Sequence, residues 1–142
     1  MKTKQEIENG MAYMTGTSGY TRWSPLCRNH VLTDGAKFIA DSADAYWLMD
    51  AIASYHSKCM KDEMLRDFQV WTLTVNQPKP KDMGVEGEVL MTSATLICER
   101  DTGNVAFTQK IPYTDFPLDE IKMYCSPMGD GIHMVILLPS EH

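Results

Sequence analysis

The sequence predicts an α+β fold in which a central helix packs on an antiparallel β-sheet. Three observations predict it. One long helical signal runs from Asp44 to His56, with Ala45, Leu48, Ile52, Tyr55 and Cys59 recurring at the helical period as a single apolar stripe. Segments rich in β-branched and aromatic residues follow with a period of two, each bounded by Gly, Pro, Asn or Asp. No repeat divides the 142 residues, so 1–142 is a single domain, able to bury about two-thirds of its unfolded surface without staples.

Thr3 and Glu6 make a capping-box pattern, and Ile7, Met11 and Met14 follow at i, i+4 and i+7, giving a short amphipathic helix over 4–14. Gly10 inside it costs about 1 kcal/mol relative to Ala, so this helix depends on docking. Gly16-Thr17-Ser18-Gly19 ends it; no Lys-Ser/Thr follows and no strand precedes, so it is not a phosphate loop. His30–Thr33 and Ala36–Ala40 flank Asp34-Gly35, a dipeptide suited to a two-residue turn with positive φ, which predicts an N-terminal hairpin. Ser42 or Asp44 is the expected N-cap of the central helix over 44–57. Strands are expected over 68–75, 88–99, 104–111, 119–125 and 132–138, and the C-terminal part reads as a four-strand meander. Asn76–Gly87, with Pro78, Pro80, Gly84 and Gly87, is expected to be a mobile surface loop.

A net charge of −6 and a pI near 5.1 argue against general binding to nucleic-acid backbones, which requires a positive field. No apolar run approaches the length of a membrane span, and the N-terminus lacks the apolar core of a secretory signal. The expectation is therefore a cytoplasmic protein of a bacterial host cell, with no membrane contact and with Cys27, Cys59, Cys98 and Cys125 as reduced thiols. Eleven methionines are many for this length, and core filling is their default use.

Thr15-Gly16-Thr17, Thr33-Asp34-Gly35-Ala36-Lys37, Ala45-Tyr46-Trp47-Leu48-Met49-Asp50-Ala51-Ile52-Ala53 and Phe68-Gln69-Val70-Trp71 occur in a characteristic order. Ile111-Pro112-Tyr113-Thr114-Asp115-Phe116-Pro117-Leu118-Asp119-Glu120-Ile121 and Leu137-Leu138-Pro139-Ser140-Glu141 complete it. In these stretches the chain resembles an uncharacterised bacterial domain-of-unknown-function family, family 6876, found in chromosomes and in phages or plasmids. It departs from the family by a longer loop near 77–90 and a longer turn near 126–132. The resemblance implies no catalytic residues; it does imply that an origin on a mobile element is open to this chain.

Tyr20, Arg22, Trp23, Arg28 and His30 form the one local basic–aromatic cluster in an acidic chain, and Arg and aromatic residues are what interface hot spots favour. They are the candidate partner-binding residues; the competing reading is a loop whose aromatics pack beneath it. Cys27-x-x-His30 and His56-x-x-Cys59 could supply a structural zinc set of two thiolates and two imidazoles. Four Cys and four His make accidental pairs common, so packing is preferred and no metal or cofactor is expected. The same pairs could be drawn as nucleophile and base, but nothing supplies an oxyanion hole or a third orienting residue. Asp115 with Asp119 or Glu120 could do acid–base work only if burial separated their pKa values.

Two function classes remain. The first is a non-enzymatic protein-interaction factor of phage or plasmid type that occludes a host defence or regulatory protein, as an anti-CRISPR-like inhibitor would. The second is a small enzyme or ligand-binding domain with a pocket between helix and sheet. The protein partner of the first and the oligomeric state are not specified by the residues.

Overall fold

The structure, a computed structural model, describes residues 3–13, 19–23, 29–76 and 92–141. Within them the chain is mixed α and β. Helix α1 (Lys4–Met11) is followed by strands β1 (Tyr20–Thr21) and β2 (His30–Thr33), then by helices α2 (Asp34–Ser42), α3 (Tyr46–Ser54), α4 (His56–Cys59) and α5 (Glu63–Asp67). Strands β3 (Gln69–Val75), β4 (Thr92–Glu99), β5 (Val105–Thr114), β6 (Glu120–Pro127) and β7 (Met134–Leu137) complete a seven-stranded sheet, and a 3-10 turn, Pro139–Glu141, follows. The expected loop over 76–87 lies, apart from Asn76, outside the described residues, as does the Gly16–Ser18 stretch.

The strand order is β1-β2-β7-β6-β3-β4-β5, with every neighbouring pair antiparallel except β2 with β7. This corrects the meander. After β3, β4 and β5 the chain does not add β6 beside β5 but carries it across the sheet end to pair with β3, a Greek-key order. The crossing is the 115–119 corner, where Phe116 and Leu118 are buried and the Val75 N–H donates to the Asp119 carbonyl at 2.8 Å. Paired on both sides, β3 becomes a central strand, and its Trp71 and Leu73 are almost fully buried. Ala94, Leu96 and Cys98 on β4 and Ile121, Met123 and Cys125 on β6 share that inner face, as their alternation predicts.

The predicted hairpin around Asp34-Gly35 is also corrected. These two residues open helix α2, because the Thr33 hydroxyl accepts the Ala36 N–H at 3.2 Å and caps it. Ala36, Ile39 and Ala40 then fall on one buried face at helical spacing. The antiparallel pair in this region is β1 with β2, through Tyr20–Thr33 and Thr21–Leu32. Gly35 is needed for close approach: a Cβ there would lie 2.4 Å from Glu141 Oε1. The Glu141 carboxylate accepts from the Gly35 N–H (3.0 Å), the Thr33 hydroxyl (2.6 Å) and the Leu138 N–H (3.0 Å). A side chain from the last turn thus supplies acceptors at the N-terminus of α2 that the helix itself lacks.

The central helix is shorter than 44–57 and has no side-chain cap; Asp44 instead takes φ of 53° before α3, and the helix breaks at Tyr55 before α4. Its stripe is as read: Ala45, Leu48, Ile52 and Cys59 are buried, and Trp47 and Tyr55 pack against the core, Trp47 edge-on to Phe116 and Tyr55 stacked on Phe107. Below α5, Gln69 is buried without penalty, since its amide accepts from Trp71 Nε1 at 2.8 Å and donates to the Leu65 carbonyl at 3.1 Å.

Leu48→Ala or Ile52→Ala is expected to cost about 2–5 kcal/mol in chemical denaturation, from lost transfer energy plus the cavity left behind. Glu141→Ala should cost about 1.5–3 kcal/mol, because it strips a charged acceptor from three donors, with Glu141→Gln losing less.

Candidate functional site

Strands β2 and β7 start at the same end of the sheet because they are parallel. There a cavity of about 460 Å³ opens between the sheet and the α4–α5 segment. Asn29 lines it from the start of β2, Met134 from β7 and Pro127 from β6; His56, Met60 and Arg66 line it from the helical side, and Gly131, Ile132 and His133 from the β6–β7 turn.

That turn places His133. Gly129 and Gly131 take φ of 97° and 77°, a region that favours glycine, and the chain between them wraps around Asp130. Asp130 Oδ1 accepts the N–H groups of Ile132 (2.9 Å) and His133 (2.8 Å), while Oδ2 lies 2.6 Å from His133 Nδ1. On the other side of the ring, Arg22 Nη2 lies 3.4 Å from Nε2. A carboxylate at one nitrogen and a guanidinium, which only donates, at the other select the Nδ1–H tautomer. The His133 ring bond, with the two backbone N–H groups adding to it, holds the Asp130 carboxyl well below the usual carboxylate range.

His56, which lines this cavity, meets the interior His30, with ring centres 5.1 Å apart and planes at 82°. His30 comes from the buried strand β2 and is 2% exposed; His56 opens α4. Burial, with a smaller contribution from His56, lowers the His30 pKa to about 4, and burial lowers that of His56 as well. His30 Nε2 and His56 Nδ1 are buried without a hydrogen-bond partner.

The structure divides the predicted partner cluster. Tyr20 is half exposed on β1, and Arg22 is exposed apart from its contact with His133. Trp23 packs against the core and donates its Nε1–H to Asp50 at 2.8 Å, and His30 is interior; Arg28 lies outside the described residues. Of the alternative zinc set, His30 and His56 are brought together and Cys27 lies outside the described residues. Cys59 is instead committed to the core, where it accepts a hydrogen bond from Cys98, which lowers the Cys59 thiol and raises Cys98; burial pushes Cys125 up. Those three cysteines are free thiols. Among the described residues no cluster of three or more His, Cys, Asp or Glu side chains is placed to hold a metal. Asp119 is paired with Lys4 at 3.2 Å rather than with Asp115 or Glu120.

Sequence reasoning missed Asp130, His133, Arg66 and Met60. The available signal was Gly129-Asp130-Gly131 with a histidine three residues after the aspartate, a spacing read only as a turn.

Fold and site define a small α+β domain with a Greek-key sheet and a histidine-lined cavity at the sheet end. The chain belongs to the family of unknown function DUF6876, whose model matches residues 5–142. No curated protein and no solved structure shows a significant match to it. No helix among the described residues is long and apolar enough to cross a membrane.

His30 makes stability depend on pH. Its folded pKa is depressed from 6.5 to about 4, so between those values the unfolded chain binds a proton that the folded chain refuses. The stability it contributes is complete above pH 6.5 and is lost as the pH falls toward 4. Denaturation midpoints at pH 7, 5.5 and 4 should show a loss of about 3 kcal/mol from this group, and His30→Phe should flatten that part of the slope.

Proposed function

We propose that this domain binds a small anionic ligand in the cavity at the start of the β2–β7 pair. The observation that carries this reading is the lining. Among the described residues it presents one guanidinium, two imidazoles and an amide but no carboxylate, in a chain whose net charge is −6. Arg66 forms no ion pair with another described residue, so its donors are available to a phosphate or carboxylate. Met60, Pro127, Ile132 and Met134 offer apolar surface to the rest of the molecule, and the volume falls in the range of ligand pockets.

A second reading, the protein-interaction factor that occludes a host defence or regulatory protein, draws support from two exposed side chains. Tyr20 is 50% exposed two residues before Arg22, and Ile132 is 63% exposed beside His133, so apolar surface adjoins the Arg22–His133 contact.

Titration calorimetry with paired ligands, each an organic phosphate or carboxylate against its neutral isostere, separates the two. Anionic members should bind, and Arg66→Ala should weaken them about tenfold or more, the worth of a charge-assisted hydrogen bond. Equal binding of neutral isosteres, or no effect of Arg66→Ala, would sink the ligand reading. Partner capture that Tyr20→Ala and Ile132→Asp abolish would then favour the second.

A further inference from the structure

The cavity is larger than an acid group needs. Its volume of about 460 Å³ lies in the range that encloses whole organic molecules, and a lone carboxylate or inorganic phosphate leaves most of it unfilled. Much of the remaining lining is apolar and adaptable. Met60 meets the cavity from the helical side and Met134 from β7, so two thioethers face it from different walls. Thioethers fill irregular shapes and favour contact with aromatic rings, the sulfur about 5 Å from the ring. At the rim Ile132 is 63% exposed, a large apolar side chain that a bound ligand would take out of water. Charge limits the other end of the ligand. Arg66 is the one guanidinium among the described lining residues. Burial keeps His56 neutral near pH 7, and the His133 ring already meets Asp130 at Nδ1 and Arg22 at Nε2. A single guanidinium fork matches a single carboxylate.

We infer that the anion is an aryl monocarboxylate, with its acid group on Arg66 and its flat ring system against Met60, Met134 and Ile132. The inference rests on the anion reading and narrows it to one class of molecule. A polyphosphate brings several charges to a lining that holds one guanidinium among the described residues. A long aliphatic acid also buries apolar surface, but it has many rotors to immobilise and forgoes the sulfur–ring contacts. A rigid aromatic acid has neither disadvantage.

The test titrates the full chain calorimetrically with 2-naphthoate, its neutral amide, its fully saturated counterpart, acetate and inorganic phosphate. 2-Naphthoate should bind one to one, at least tenfold tighter than the amide, acetate or phosphate and at least threefold tighter than the saturated acid. In methyl spectra of ¹³C-methionine-labelled protein, ring currents should shift the Met60 and Met134 signals, assigned through Met60→Leu and Met134→Leu. If Met134→Leu fails to fold, the Met60 signal decides. Ile132→Ser, at an exposed side chain, should weaken 2-naphthoate at least threefold without moving the melting temperature. Acetate, phosphate or the saturated acid binding as tightly as 2-naphthoate overturns the aryl class. So do methionine signals that stay in place, or undiminished binding by Ile132→Ser; in all these cases the anion reading still answers to Arg66→Ala. An amide that binds as well as the acid, or no binding by any probe, removes the anion reading and this inference with it.

Discussion

The pairing of β2 with β7 is the constraint on which the rest of the structure depends. Parallel strands cannot be joined by a tight turn; they need a long crossover, and here everything from α2 to β6 serves as one. Both strands are buried along their whole length, as parallel strands usually are, with Leu32 and Ile136 facing the main core and Val31 and Val135 a smaller cluster with Leu137. Because the two strands begin at the same end, Asn29, His30, His133 and Met134 come together there. The cavity is therefore a product of topology: no local segment could have assembled it.

Around that pairing, polar groups are placed where each can be answered. Gln69 links Trp71 to the end of α5, and Asp62 caps the start of α5 while its other oxygen meets Arg100 Nε at 2.7 Å. The Asp62 carboxyl is held below its ordinary value, first by Arg100. These bonds fix α5, and hence Arg66, relative to the sheet. The two unanswered ring nitrogens stand out against that background, since the other buried side-chain nitrogens and oxygens among the described residues have partners.

Strands β3, β4 and β6 were legible because a sheet with one covered face writes its period of two directly into the chain. The stripe of α3 was legible for the same reason at the helical period. Asp34-Gly35 was not, because the dipeptide suits a tight turn and a first helical turn equally; the Thr33 cap and a carboxylate from the far end of the chain decide between them. The strand order was not legible either, since alternation shows which face is buried and says nothing of which neighbour is paired. At the site, spacing pointed to His30 and His56 but tied each to a nearby cysteine; the fold turns Cys59 toward Cys98 and pairs the histidines with each other. His133 stayed hidden because its partner Arg22 lies on the opposite side of the crossover.

The Glu141 latch gives one backbone amide an unusual status. Most first-turn amides of a helix can meet water through local fraying, but that of Gly35 is held by a carboxylate donated from across the chain. Its exchange with deuterium requires the last turn to leave α2, which also frees Thr33 and Leu138. The rate at that single amide thus reads how often the Pro139–Glu141 turn lifts away from the start of α2.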